Sequence, residues 1–394
     1  MREGLDAAGM PEPSAEALEH SRRLEAFIAE AIRGAGGAIR FAEYMRLALY
    51  APGLGYYSAG ARKFGPAGDF TTAPEVSSMF SACIARSCGD VLDAIDGAEI
   101  VEIGAGSGQM TLDVLLALES AGRLPDRYRI LEVSADLRDR QRRLLSAGMP
   151  GFVDRIRWID DMASAVNGMI LANEVLDALP FERFRAGSPD PEYLGVGQGA
   201  HGFRVVPMPA DEALKAQVRL IDRSLGAPIS PGYVSEWCPG LKPFISSLAR
   251  SLRKGALLLI DYGLPRRELY HPDRSRGTMM CHYRHRAHGD PFLHPGLQDI
   301  TAWVDFTAVA EAATDAGLML DGFTTQAHYL IGSGIADIAV LDAGGARRQL
   351  ETASALRTLT LPGEMGERFK VIGFSRNWSG MLPGLTGKDL SGSL

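Results

Sequence analysis

Cysteine is scarce in this chain of 394 residues: four thiols, Cys83, Cys88, Cys238 and Cys281, with no C-x-x-C pair among them. That argues against a disulfide framework and against a zinc ribbon, and a reducing cytoplasm is the expected setting. Long apolar runs are lacking too. Aliphatic stretches such as 256-ALLLI-260 fall far short of the roughly 20 residues that cross a bilayer, so no membrane span is expected. There is no excess of base, because 41 Lys and Arg face 48 Asp and Glu for a net charge of −7. No nucleic-acid partner is therefore expected, and a basic partner is easier to accommodate than an acidic one. The opening MREGLDAAGMPEPSAEALEH has neither the apolar core of a signal peptide nor the acid-poor composition of a mitochondrial presequence, which again predicts a cytoplasmic protein. What is present, 46% hydrophobic and 23% charged residues, is the composition of a globular enzyme. The length allows two or three domains, or one large α/β unit with insertions.

Helical spacing of Leu18, Leu24, Phe27, Ile28 and Ile32 predicts a helix from Ala15 to about Arg33, and 41-FAEYMRLALY-50 fits a second. The following 51–70 stretch is glycine-rich and reads as a long loop. Pro74 and Glu75 suit a first helical turn, and an apolar stripe from Val76 to Ile95 extends that helix. Short apolar strands then alternate with amphipathic segments: 99-EIVEI-103, 128-YRILEV-133, 155-RIRWI-159, 168-GMILA-172 and 256-ALLLIDY-262. That rhythm indicates βαβ units and a mainly parallel sheet. Between the last two lies an insertion with short antiparallel strands (181–186, 193–198, 203–208) and helices over 210–225 and 240–253. Residues 264–298 carry five of the eight histidines and six arginines without periodicity, and read as a long loop. A helix from about Asp305 to Ala316 and strands at 318–326 and 369–376 complete the sheet, and 379–394 reads as a flexible tail.

The segment 99-EIVEIGAGSGQM-110 runs from a strand into Gly104-x-Gly106-x-Gly108 and then a helix. Glycines there let a ligand approach the backbone, and the helix start offers free N–H groups. A dinucleotide fingerprint needs glycine at 109, where this chain has Gln109. Glu102, two residues before the first glycine, together with G-x-G-x-G resembles the first motif of class I S-adenosylmethionine methyltransferases. Glu132, closing the next strand, is placed to accept hydrogen bonds from both ribose hydroxyls of a nucleoside. By the same resemblance Asp161, in the loop where the third strand ends at 158-WIDDM-162, would receive the adenine amino group.

Three further segments, 68-GDFTTAPE-75, 172-ANEVLDALP-180 and 299-DITAWVDF-306, with 41-FAEYMRLALYAPGLGYYS-58 upstream, resemble the MidA family, the mitochondrial complex I assembly-factor type of methyltransferase. The likeness runs from about residue 20 to 376. It implies a class I, Rossmann-like fold with a seven-stranded, mainly parallel sheet. S-adenosyl-L-methionine is implied as donor and S-adenosyl-L-homocysteine as product. For the mitochondrial members it implies methylation of an arginine on a respiratory complex I subunit. The expected partners are that protein substrate and a second copy of the chain in a homodimer.

The expected division is an N-terminal helical and glycine-rich cap and lid (1–73), a donor-binding core in two parts (74–180 and 255–378), an inserted substrate-recognition region (181–254) and the tail. Gly68 and Thr71 belong to the lid and, with Glu102, the three loop glycines, Glu132, Asp161 and Asn173, are the expected donor-binding residues. A guanidinium stays protonated in water, so its attack on a methyl group calls for carboxylates that orient it and accept a proton. Glu174 is assigned that role, with Asp177 assisting and Asn173 near the transferred methyl. The blander alternative has Asp177 capping a turn and Glu174 neutralising Arg183 or Arg185. Cys281-His282-x-x-His285-x-x-His288 matches no common zinc module, and no metal is expected. Competing functions are methylation of a small molecule at oxygen or nitrogen, a non-catalytic donor-binding assembly factor and, weakest, a nicotinamide oxidoreductase.

Overall fold

A computed structural model describes residues 10–59, 71–200, 202–341 and 345–394. They fall into two compact units. The larger comprises Thr71–Leu176, Lys242–Pro265 and Val304–Leu394. Its sheet has seven principal strands: β1 (Glu99–Ile103), β2 (Arg127–Leu131), β3 (Ile156–Ile159), β4 (Val166–Asn173), β5 (Leu252–Leu264), β6 (Met319–Thr325) and β7 (Phe369–Arg376). Their order is β6-β7-β5-β4-β1-β2-β3, with β1 to β5 mutually parallel and β7 antiparallel to both neighbours. All five residues of β1 are buried, as are Ala256–Ile260 of β5. Strands covered on both faces read as unbroken aliphatic runs, which is why they were legible. Two glycines set the register. A Cβ on Gly168 would lie 2.0 Å from the Glu99 carbonyl oxygen, and one on Gly255 would lie 1.9 Å from that of Gly168.

Helices α1 (Ser78–Asp93), α2 (Gln109–Ser120) and α3 (Ala135–Gly148) belong to this unit. Phe80, Ile84, Cys88 and Val91 of α1 and Val114 and Leu115 of α2 are fully buried in one core cluster with Ile100 and Leu258. Each such side chain contributes roughly 1.5–3 kcal/mol. The helix expected to run on from Pro74 is interrupted: Ala73–Val76 is one turn, Ser77 is extended (φ −167°), and its hydroxyl caps Met79 N–H at 3.2 Å to start α1. Among the described residues, four helices between β6 and β7, Gln326–Gly332, Ile335–Leu341, Ala346–Thr360 and the short Met365–Arg368, fill a stretch the sequence left unread. Residues 379–394, expected as a flexible tail, are packed. Leu382 and Leu385 sit in the core, and Leu390 N–H donates to the Phe323 carbonyl at 2.6 Å.

The second unit comprises Met1–Phe70, Asp177–Leu241 and Arg266–Trp303. Helices Ala15–Gly34 and Phe41–Tyr50 accompany a five-stranded antiparallel sheet of Ala38–Ile39, Glu182–Arg185, Glu192–Gly199, Gly202–Pro209 and Val234–Trp237. The cap and the insertion, expected as separate pieces, share this unit. Ala38 and Ile39 pair with Gly197 and Val196, and Phe41 stacks on Phe181 with ring centroids 5.4 Å apart. Pairing between segments so distant in sequence leaves no local signal. The 264–298 stretch, expected as an element-free loop, contains helix Arg266–Leu269 and strands Met280–Tyr283 and Arg286–His288, which form an antiparallel trio with Asp299–Thr301 just beyond it. Strands of three or four residues are too short to display a period. Cys281 is fully buried opposite His288, and burial pushes its thiol up and the His282 imidazole down. Among the described residues no group of three His, Cys, Asp or Glu is arranged to hold a metal ion.

Candidate functional site

At the carboxyl end of β1 the chain turns through Gly104 (φ +65°), Gly106 (φ +55°) and Gly108 (φ +86°), the last capping α2. Side chains would be excluded twice over, by the left-handed backbone and by space. A Cβ on Gly104 would lie 3.0 Å from Val175 Cγ2, and one on Gly108 would lie 3.2 Å from Gln141 Cγ. Gly104 N–H donates to the Leu131 carbonyl at 2.8 Å, tying the loop to β2. Glu75 accepts a hydrogen bond from the Ser107 hydroxyl, so the 68–75 segment reaches the loop through its last residue. Gln109, which breaks the dinucleotide pattern, donates to Asp113 Oδ1 at 2.9 Å. Burial raises the Asp113 carboxyl to about 6.

Glu102 faces inward. Its Oε2 accepts from Thr111 Oγ1 at 2.6 Å and from Tyr128 Oη at 2.5 Å, joining β1 to the first turn of α2 and to β2. Burial raises the carboxyl to about 7, against the lowering effect of those two hydroxyls, and the Glu132 charge adds to the rise. Glu102 is thus engaged with the protein's own hydroxyls and braces the glycine loop from behind.

Glu132 lies just past β2 and is buried. Its Oε1 accepts from Ser134 N–H at 3.0 Å and its Oε2 from Gln141 Nε2 at 3.1 Å. These two bonds fix the orientation of its carboxylate. Gln141, fully buried in α3, also donates to the Gly106 carbonyl at 2.9 Å and accepts from Trp158 Nε1 at 2.8 Å. One amide therefore links the acid, the glycine loop and the residue before the end of β3. Sequence reasoning missed it, since a lone glutamine in an Arg-rich helix carries no signal.

At the end of β4, Asn173 Nδ2 donates to Glu174 Oε1 at 3.1 Å, and the buried Asn173 Oδ1 has no hydrogen-bond partner among the described residues. Glu174 is held in the left-handed region (φ +53°), which costs a side-chain-bearing residue roughly 1–3 kcal/mol. The turn is fixed by Asp261 at the carboxyl side of β5. Its fully buried carboxylate accepts from Val175 N–H at 3.1 Å, Leu176 N–H at 2.8 Å and Tyr262 N–H at 2.8 Å, while Glu174 N–H donates to the Ile260 carbonyl at 2.9 Å. Asp261 was visible only as the last polar residue of an aliphatic strand.

The remaining expected residues are more scattered. Asp161 is exposed and caps its own turn through Ala163 N–H at 2.9 Å, and its neighbour Asp160 pairs with Arg138 at 2.6 Å. Thr71 is exposed at the start of the larger unit. Gly68 lies outside the described residues. Asp177 opens the second unit, where it is buried and its carbonyl accepts from Ala302 N–H at 3.3 Å. The larger unit thus brings together the glycine loop, Glu102, Glu132, Asn173 and Glu174 at the carboxyl ends of adjacent strands, the usual ligand-binding edge of an open α/β sheet. The cradle fits a nucleoside-bearing amino-acid ligand: an open glycine edge, a fixed carboxylate for hydroxyls, and the buried Asn173 Oδ1 as acceptor for an ammonium group.

Known proteins are similar to this chain in sequence and fold. The sequence profile of a family of S-adenosyl-L-methionine-dependent methyltransferases matches residues 83–324. A Burkholderia thailandensis protein crystallised with S-adenosyl-homocysteine is 41% identical, with a TM-score of 0.93, and the match covers 98% of this chain and 100% of that one. The mitochondrial protein arginine methyltransferase NDUFAF7 of Xenopus laevis is 27% identical over 374 residues, 85% of this chain and 80% of that one. The Drosophila melanogaster NDUFAF7 homolog is 27% identical over 433 residues, 99% of this chain and 93% of that one. That these relatives are mitochondrial overturns the expectation of a cytoplasmic setting. Scarce cysteine indicates reduced thiols, a condition the cytoplasm shares with other compartments, and the composition of the opening residues could not decide among them. No helix among the described residues is long and apolar enough to cross a membrane. The chain belongs to the family of S-adenosyl-L-methionine-dependent methyltransferases.

Proposed function

We propose that the chain methylates an arginine guanidinium on a protein. The observation that carries this reading is Glu174: a strained carboxylate at the end of β4, hydrogen-bonded by Asn173 and set in a turn that a buried Asp261 holds. Strain of this kind persists where the surroundings over-determine it, and it gathers at sites of chemistry. The relatives named as protein arginine methyltransferases support the same substrate class. The family resemblance extends it to a subunit of respiratory complex I.

S-adenosyl-L-methionine, when bound, supplies a methyl carbon made electrophilic by its sulfonium. The glycine loop and Glu132 would hold its nucleoside, Asn173 Oδ1 its amino group, and Asp161 and Thr71 the periphery. Glu174 pairs with the incoming guanidinium, aligns one nitrogen and accepts the proton that nitrogen sheds. Asp177, buried in the second unit, is the assisting carboxylate of this reading. An arginine with a pKa above 12 gains from such pairing because orientation and proton acceptance together raise its nucleophilicity.

The test is Glu174→Gln, incubated with labelled donor and a lysate lacking the protein, with the labelled residue identified by mass spectrometry. Donor affinity should stay within about twofold and turnover should fall by about two orders of magnitude or more. Full turnover by the variant, or label found only on metabolites, overturns the proposal.

A further inference from the structure

The smaller unit contains a cavity of about 1060 Å³ that the donor-binding site does not use. Its walls are the loop Ala227–Val234 that follows helix Glu212–Leu225, the strand Glu182–Arg185, and the segment Arg267–Arg276. Main-chain bonds tie these walls together. Gly232 N–H donates to the Ala186 carbonyl and Ala186 N–H to that of Tyr233, both at 2.8 Å, and Val234 N–H donates to the Ser275 carbonyl at 3.0 Å. Tyr233 Oη donates to the His271 carbonyl at 3.2 Å. The opening is therefore a built feature of the unit.

Its chemistry is lopsided. Three arginines, Arg183, Arg267 and Arg276, line it against one lining carboxylate, Glu268, and with Glu236 behind Arg183 the local balance is +1 in a chain of net charge −7. Arg183 Nε is buried without a hydrogen-bond partner, 3.8 Å from Glu236 Oε1, which is itself buried and lacks one. The exposed guanidinium groups of Arg267 and Arg276 make no ion pair among the described residues. The far wall is apolar, formed by Leu225, Pro228 and Ile229 beside a helix carboxyl end, where the dipole disfavours an anion. An acidic group is thus steered to the arginine end and an apolar group to the other. Guanidinium forks match carboxylates in a bidentate way.

We propose that this cavity docks an acidic–aliphatic segment of the protein that the enzyme methylates, apart from the arginine being modified. The inference rests on the reading of the substrate as a protein. The volume stands at the upper end of the range for small-molecule sites, which favours a peptide over a metabolite anion. It also reverses, locally, the preference for basic partners that the net charge suggested. A chain that must take a cation at Glu174 gains selectivity if a second contact of opposite sign has to be satisfied.

The experiment uses the full chain and a fluorescein-labelled peptide of alternating Glu and Leu, with a Lys–Leu peptide and citrate as comparisons. Fluorescence anisotropy should show saturable binding of the Glu–Leu peptide that weakens as salt rises, about tenfold or greater weakening in the double variant Arg267→Glu/Arg276→Glu, and no binding of the Lys–Leu peptide. Donor binding by the variant should match the wild type. Absence of peptide binding by the wild type, equal binding by the variant, or citrate displacing the peptide at equal affinity overturns the proposal. These outcomes are independent of whether arginine is methylated. If the peptide binds yet no protein is labelled in the lysate, the substrate reading fails and the acidic-peptide site stands as a separate fact.

Discussion

Asp261→Asn separates positioning from binding. The aspartate accepts from three main-chain N–H groups, those of Val175, Leu176 and Tyr262, at 2.8 to 3.1 Å in full burial. An asparagine of the same shape keeps one oxygen for the Val175–Leu176 pair but turns its amide hydrogens toward Tyr262 N–H. Hydrogen bonds to a charged group contribute about 1.5–3 kcal/mol each against about 1 kcal/mol for neutral ones, and a buried donor left unsatisfied costs about 1–3 kcal/mol. The loss is then about 3–5 kcal/mol, comparable to or larger than the roughly 1–3 kcal/mol of strain that holds Glu174 at positive φ. The turn relaxes and the Glu174 carboxylate moves, while the glycine loop and Glu132 stay where they are. A domain of ordinary stability tolerates such a loss near 25 °C. Urea titration should show the lowered stability, calorimetry a donor Kd near that of the wild type, and steady-state kinetics a kcat reduced by about a hundredfold, as expected for a displacement of about 1 Å. An unchanged kcat in a variant with the expected stability loss would show that Asp261 serves the fold alone.

Two other perturbations probe the donor cradle. Gln141→Leu removes the bonds to Glu132, the Gly106 carbonyl and Trp158 together. Donor Kd should rise by one to two orders of magnitude at nearly constant kcat, and a proportional fall in kcat alone would contradict that role. Glu102 has a folded-state pKa raised to about 7 from 4.5. A raised acid contributes stability that is present in full below about 4.5 and is lost as pH rises through about 7, up to about 3 kcal/mol for this shift. Relative to wild type, Glu102→Gln should flatten the pH dependence of the urea midpoint between pH 4.5 and 7, and parallel curves would refute the assignment.

Much of the larger unit was legible because its signals are local. The aliphatic runs of β1 and β5, the G-x-G-x-G turn and the acid closing β2 are each contained in about a dozen residues. In the second unit the helices Ala15–Gly34, Phe41–Tyr50 and Glu212–Leu225 and the strands after Phe181 were legible, but their assembly was not, because the sheet joins Ala38–Ile39 to Val196–Gly197 and the short strands within 264–298 show no period. The packed C-terminus was hidden for a related reason: two leucines among glycines read as a tail until β6 and β7 offer a surface for them.

The site divides along the same line, and the division has a physical cause. Residues expected to touch ligand stand in the strand-end motifs and could be read by their spacing. Residues that hold those residues cannot, because their partners are distant: Gln141 reaches 35 residues back to Gly106, and Asp261 reaches 86 back to Val175. Glu102 shows how the two kinds can be confused. It sits inside the glycine motif, yet its Oε2 accepts from both Thr111 and Tyr128, and burial lifts the carboxyl to about 7. The motif acid therefore sets the geometry of the loop, and Glu132, oriented by Gln141 beside that loop, is the carboxylate from which a donor's hydroxyls would take their selectivity.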